Sequence, residues 1–203
     1  MIQICVRAET DSIIFQNSNI LTQKQSVSLQ KLLNFSKSIN YTLIYQASRD
    51  GFGISDFYSV CSGIFNTLMI IQTNTSYILG FFTTKDWAGA NQFWQYDKDA
   101  FVFSFVNHFS MPVKMNVLVP EFALRGNPSE LNVGYELLIN DQFNRNLNYG
   151  WSGPGNSYEL PNFVNESAYL LIDSSGFFAS EIEVYEVDGK KNILLDSYSL
   201  VTY

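Results

Sequence analysis

Histidine occurs once among 203 residues, cysteine twice and proline five times, and 12 Lys and Arg stand against 19 Asp and Glu. Each scarcity removes a class of function. With His108 as the single imidazole, Ser-His-Asp or Cys-His catalysis would have to run through that residue, and a histidine-rich metal site is excluded. Cys5 and Cys61 are too few for a disulfide framework and sit in no CxxC or Cys/His pattern, so both read as small buried hydrophobes. The net charge of -7 comes without clustered Lys and Arg. That argues against nucleic acid and anionic membranes and leaves a basic surface on another protein as the physically reasonable partner. GxxxxGKS/T, GxGxxG and GxSxG are missing, and with them the phosphate cradle and the nucleophile elbow as motifs. The uncharged interval between Phe57 and Thr84 is interrupted by Ser, Asn, Gln and Thr, whereas a spanning helix needs about 20 predominantly apolar residues. It reads as two strands and a turn. No basic or apolar leader follows Met1, so a reducing, cytoplasmic location is expected, and the glycosylation-type triplets at Asn40, Asn74 and Asn165 are discounted.

What the chain has in quantity is aromatic residues, 17 Phe and 12 Tyr, within a 46% hydrophobic and 15% charged composition. Flat rings pack well on pleated, half-buried surfaces, so one mainly β domain is expected. Ile2 to Val6 and Ser12 to Phe15 are short β-type runs. Thr22-Gln-Lys-Gln25 is a capping box that opens a helix over about Gln23 to Lys37. Thr42 to Ala47 alternates as a strand, Arg49-Asp50-Gly51 supplies a turn, and Ile54, Phe57, Tyr58 and Cys61 form the stripe of a short helix ended by Gly63. Leu68 to Thr73 and Tyr77 to Thr83 form a hairpin; Gly80, mid-strand, marks a bulge or a close backbone approach. Lys85 to Lys98 is a loop whose aromatic residues either cap the core or make a binding surface. Ala100 to Asn107, with Phe101, Phe103 and Phe105 on one face, is a central strand. Val113 to Val119 is a strand, Pro120 to Leu131 a loop, Asn132 to Ile139 a strand and Asn140 to Pro161 a long surface excursion. Tyr169 to Ile172, Glu181 to Val187 and Asn192 to Tyr203 are later strands. Glu181 and Glu183 share one face of their strand; if partly buried they form an acid-base pair, and otherwise a solvated face.

Five segments, in order and spacing, resemble the TLDc domain family: Leu43-Ile-Tyr-Gln-Ala-Ser-Arg-Asp-Gly-Phe52, Ser55-Asp-Phe57, Gly80-Phe-Phe-Thr-Thr-Lys-Asp-Trp87, Asp99-Ala-Phe-Val-Phe-Ser-Phe-Val-Asn107 and Ser180-Glu-Ile-Glu-Val-Tyr185. The resemblance makes residues 20–188 the domain, 1–19 an N-terminal extension and 189–203 a C-terminal strand packed on the same domain. It implies a two-sheet antiparallel β-sandwich flanked by a few short helices. It further implies a role in resistance to oxidative stress and in binding and regulating the vacuolar proton-pumping ATPase, without established enzyme chemistry. Family glycines implied in partner binding fall on Gly51, Gly80 and Gly134. Many members carry a serine, suspected of catalysis together with the acid at Glu183, where this chain has Gly53. A glycine cannot be a nucleophile, yet at a helix N-cap Ser to Gly costs only a few tenths of a kcal/mol, so the substitution suits a capping role. The family's glycine-rich run is reduced to Leu131-Asn-Val-Gly134.

Three function classes follow. The first is a non-enzymatic, monomeric interaction domain with no cofactor and no metal. In it Gly51, Gly80 and Gly134 shape the face, Arg49, Asp50 and Glu183 form a polar cluster, and proton-pump subunits on acidic organelles are the partner. The second is an enzyme, a hydrolase or peroxide-handling protein using Glu183 and the Cys61 thiol. The third is a lectin-like sandwich binding sugars through Trp87, Trp94 and Trp151.

Overall fold

A computed structural model describes residues 14–35, 39–87, 93–150, 157–161 and 176–188. The Thr22 box closes as its spacing requires: Thr22 Oγ1 accepts from the Gln25 amide at 3.3 Å, and Gln25 Oε1 accepts from the Thr22 amide at 3.0 Å. Helix α1 spans Gln23–Leu33 and stops short of Lys37, because Asn34 turns left-handed at φ 55° and its amide closes on the Gln30 carbonyl. Strand β1 (Asn40–Gln46) leads into α2 (Ala47–Asp50), a single helical turn where a plain turn is expected, closed by the Gly51 amide on the Ala47 carbonyl at 3.0 Å. Helix α3 (Ile54–Cys61) buries the predicted stripe of Ile54, Phe57 and Cys61. The hairpin β2 (Thr67–Thr73) and β3 (Ile78–Thr83) is followed by β4 (Phe101–Val106) and β5 (Val113–Asn116).

The next segment departs from the sequence expectation. After a 3-10 turn at Pro120–Phe122, the expected loop holds β6 (Leu124–Asn127) and the start of β7 (Glu130–Val133). The Asn127 side chain turns that hairpin by accepting from the Ser129 and Glu130 amides at 2.8 and 3.1 Å. The strand expected over Asn132 to Ile139 is two strands, β7 and β8 (Leu137–Asn140), folded at Gly134 with φ 55°. Apolar alternation runs unbroken through Leu131, Val133, Tyr135, Leu137 and Ile139, so periodicity alone shows no corner there. The long excursion contains β9 (Asn148–Gly150), and β10 (Gly176–Phe177) and β11 (Ala179–Asp188) complete the described chain. Of the Ser12 to Phe15 run, Ile14 and Phe15 form a bend rather than a strand. Ile2 to Val6, Cys5, Trp151, Tyr169 to Ile172 and residues 189–203 lie outside the described residues.

Among the described residues two antiparallel sheets form a sandwich, a six-stranded one ordered β1-β11-β2-β3-β4-β5 and a five-stranded one ordered β10-β9-β8-β7-β6. The central layer packs Met69, Ile71, Phe81, Val102 and Val184 of the first sheet against Leu131, Val133, Leu137 and Ile139 of the second, closed at one end by α3 and Trp87. A second cluster lies on the other face of the six-stranded sheet: Leu68, Ile70, Phe82, Phe101 and Tyr185 are covered by Phe15, Ile20 and Leu21 and by Leu29 and Leu33 of α1. Strands β2 and β3 are therefore buried on both faces, which explains why Leu68 to Thr83 carries no charge, while the start of the uncharged interval, Phe57 to Cys61, belongs to α3 rather than to a strand. No helix among the described residues is long and apolar enough to cross a membrane.

Candidate functional site

The corner after β1 is held from within the chain. Arg49 donates to Asp50 from Nε at 2.7 Å and from Nη2 at 2.6 Å, and its Nη2 also reaches the Ile44 carbonyl at 2.8 Å. The guanidinium holds the Asp50 carboxyl below its ordinary value. Gly51 stands at φ 117°, and a Cβ there would run into the Asp56 carboxylate. At Gly53, which has no side chain to cap α3, two carboxylates do the work. Asp56 accepts from the Gly53 amide at 2.9 Å, and Asp141, just past β8, accepts from the Ile54 amide at 2.8 Å. The first lies at the local capping spacing; the second comes from 87 residues away, beyond any local signal.

Glu183 is fully buried, not part of a solvated face. Its Oε1 accepts from the Asn19 amide at 2.5 Å and Gln46 Nε2 at 3.1 Å, and its Oε2 from Ser18 Oγ at 2.7 Å and the Tyr185 hydroxyl at 2.9 Å. The lead-in to α1 lies over this end of the strand, and Glu183 is what fastens it. Glu181 is buried as well, accepting from the Ser48 amide at 3.0 Å. Gln46, which no sequence motif marks, joins the predicted polar residues: its amide donates to Asp50 at 2.9 Å while its side chain reaches Glu183. Alternation along β11 puts Val184 in the central layer with α3 and Tyr185 in the outer cluster. Glu183 therefore lies on the face of the sheet opposite α3 and position 53, and the two members of the suspected catalytic pair do not meet.

Cys61 is sealed in the core, and burial, helped by the Asp50 charge, pushes its thiol up to about 12. So protonated a thiol is a poor nucleophile at neutral pH. His108 packs its ring against Phe109 at 3.9 Å. Among the described residues no group of three or more His, Cys, Asp or Glu side chains is placed to hold a metal ion. Trp87 is a core residue, its Nε1 donating to Thr67 Oγ1 at 2.9 Å and its ring standing edge-on to Phe57 at 5.0 Å, so a surface sugar site has no Trp87 to use. A Cβ on Gly80 would strike the Met69 carbonyl and the Phe103 ring; one on Gly134 would strike Glu136, Ser157 and Tyr158. All three family-implied glycines are thus required by packing inside this chain.

A group of aromatic residues with solvent-exposed surface gathers on the outer side of the five-stranded sheet. Gln95 pairs with Leu124, which lays Trp94 beside β6. Trp94, Phe122 and Tyr135 form a trio with centroids 5.6, 5.1 and 5.7 Å apart. Tyr135 is 51% exposed, Phe122 36% and the neighbouring Phe93 78%. The Arg125 guanidinium lies 5.0 Å over the Trp94 ring and bridges to Glu130 at 3.3 Å. Strand register carries the face across the sheet from Arg125 to Asn132, Leu138 and Tyr149. A cleft of about 290 Å³ opens there, walled by Asn132, Tyr135, Leu138 and Tyr149. Beneath the β7–β8 turn sits Glu136, buried, with Oε1 accepting from the Ser157 and Tyr158 amides at 2.7 and 3.1 Å. Its burial had no sequence signal, because its partners come from the far side of the excursion.

The family model of the TLDc domain matches residues 14–188. A search of curated proteins finds no match.

Proposed function

Since the chain belongs to the TLDc domain family, we propose that it is a non-enzymatic protein-interaction module that docks through the outer side of its five-stranded sheet. In this reading it acts in oxidative-stress protection as a cytoplasmic, monomeric regulator of the vacuolar proton-pumping ATPase, held at acidic organelles by that partner. The observation that carries it is the aromatic trio of Trp94, Phe122 and Tyr135, in which Tyr135 is about half in solvent and Arg125 stacks on Trp94. Trp, Tyr and Arg are the residues that dominate binding energy at interface centres, and here Tyr135 and Phe122 keep exposed surface beside the half-buried Trp94 and Arg125. Gly134, one of the three positions at which the family resemblance implies partner binding, forms the turn that precedes Tyr135.

The groups an enzyme would need favour the same reading. The four donors on Glu183 leave it no easy role as a base, Cys61 is sealed and protonated, and position 53 carries no hydroxyl. The test is capture of the assembled proton pump or its peripheral subunits by the full chain. Replacing Trp94 or Tyr135 by Ala is expected to weaken capture about thirtyfold, the size of a hot-spot truncation. No capture under conditions where another TLDc protein binds would sink the partner assignment.

A further inference from the structure

Glu136 lies beneath this face and has no part in the docking reading. Through Oε1 it ties the β7–β8 turn to Ser157 and Tyr158, and the Ser157 carbonyl in turn accepts from the Leu118 and Val119 amides at 2.7 and 3.2 Å. Oε2 is sealed from solvent without a hydrogen-bond partner, and so is Ser157 Oγ. Glu136 Oε2 and Ser157 Cβ both crowd the point where a Gly134 Cβ would stand. An ionised carboxylate so placed is a buried charge only partly compensated, with backbone amides on Oε1 and none on Oε2, whereas the acid carries a proton and is neutral. Among the described residues, the groups that face it supply no positive charge. From its own turn come the amides of Tyr135 and Glu136; from the 157–158 segment comes the Tyr158 phenol, taken by the Ala123 carbonyl at 2.8 Å. Behind Tyr158 stands Asp97, whose oxygens are held by Thr83 and Thr84.

We propose that Glu136 is a proton-operated latch on the docking face: protonated, it holds the Gly134-Tyr135 turn against Ser157-Tyr158 and keeps Tyr135 packed on Trp94 and Phe122; ionised, it loosens the turn and weakens partner binding. The proposal rests on the docking reading above. Burial pushes the carboxyl up to about 7, against the pull of the Tyr158 and Ser157 amides, so the latch turns within the neutral range. A group whose folded value is raised favours the intact turn at lower pH. Partner capture is therefore tighter at pH 6 than at pH 8, by up to about tenfold.

The experiment is an NMR titration of the full chain from about pH 5.5 to 8.5. The Ser157 and Tyr158 amides and the Tyr135 ring are expected to move together with one midpoint near neutrality. Glu136→Gln, neutral at every pH and still an acceptor, abolishes that movement and makes capture independent of pH; His108→Gln leaves the movement in place. Silence of these signals in the native chain, or the same titration in Glu136→Gln, overturns the latch, and the native titration decides the matter even if the variant fails to fold. Tyr135→Ala separates the two readings: capture indifferent to Tyr135 removes the docking face, whereas the latch is judged by the amide titration.

Discussion

The two sheets of this domain treat their outer faces in opposite ways. On the six-stranded sheet, Phe82 and Phe101 stack at 5.1 Å, Lys114 sits 4.0 Å over the Phe101 ring while donating to the Leu33 carbonyl at 3.1 Å, and the lead-in and α1 close over the whole. On the five-stranded sheet, Trp94, Phe122 and Tyr135 pack on one another and on Arg125, with about half of the Tyr135 surface in solvent. The residue types are the same; the cover differs. Exposed aromatic residues mean a partner only where the chain has not supplied its own, and the six-stranded face shows what this chain does when it supplies one.

The sharpest way to break that contrast is a pair of matched truncations. Phe82→Ala on the covered face should cost about 3–5 kcal/mol of unfolding free energy, whereas Phe122→Ala on the open face should stay within about 0.5 kcal/mol. Urea unfolding of both variants measures this, and equal costs would mean that the open face is in fact core. Next in size is Glu183→Ala, which strands four donors and unfastens the lead-in, at about 3 kcal/mol. Hydrogen exchange should show the loss first at Ile20 and Leu21, and unchanged protection there would refute the fastening role.

The pH dependence of Glu136 comes third. Its folded value near 7 exceeds the ordinary 4.5, so the folded chain binds the extra proton between these values. The stability this proton confers is complete below about pH 4.5 and is lost as pH rises through about 7. Glu136→Gln should therefore be about 2 kcal/mol more stable than the native chain at pH 8 and close to it at pH 4.5, a difference that two thermal melts would reveal or refute. Smallest is Gly53→Ser. The new Cβ would stand 3.0 Å from Asp56 Oδ2 and 3.1 Å from Gln142 Nε2, and with Asp56 and Asp141 already capping α3 the change should be a few tenths of a kcal/mol. A gain of hydrolytic activity in that variant would reopen the catalytic reading.

Where signals were local, the chain was legible. The Thr22 box, the Ile54 to Cys61 stripe and the β2–β3 hairpin follow from neighbours within a few residues, a glycine in mid-strand flagged the close approach at Gly80, and the family motifs carried the two-sheet architecture. The β7–β8 corner was not legible, because alternation continues through it and only the left-handed Gly134 breaks the strand. Nor was the division of the tryptophans, with Trp87 in the core and Trp94 on the face. At the candidate site, Tyr135 and Glu136 read only as residues of the expected Asn132 to Ile139 strand.

By itself, then, the sequence determined the locally signalled elements, the family and the scarcity of histidine and cysteine, since residue type and short-range spacing are enough for those. Only the tertiary structure decided which carboxylates are buried and which aromatic residues are bare. Glu183 is covered because Ser18, 165 residues away, folds back on it, whereas Tyr135 keeps about half of its surface in solvent. Burial is a property of contacts between distant segments, and no local pattern encodes which distant segment will arrive.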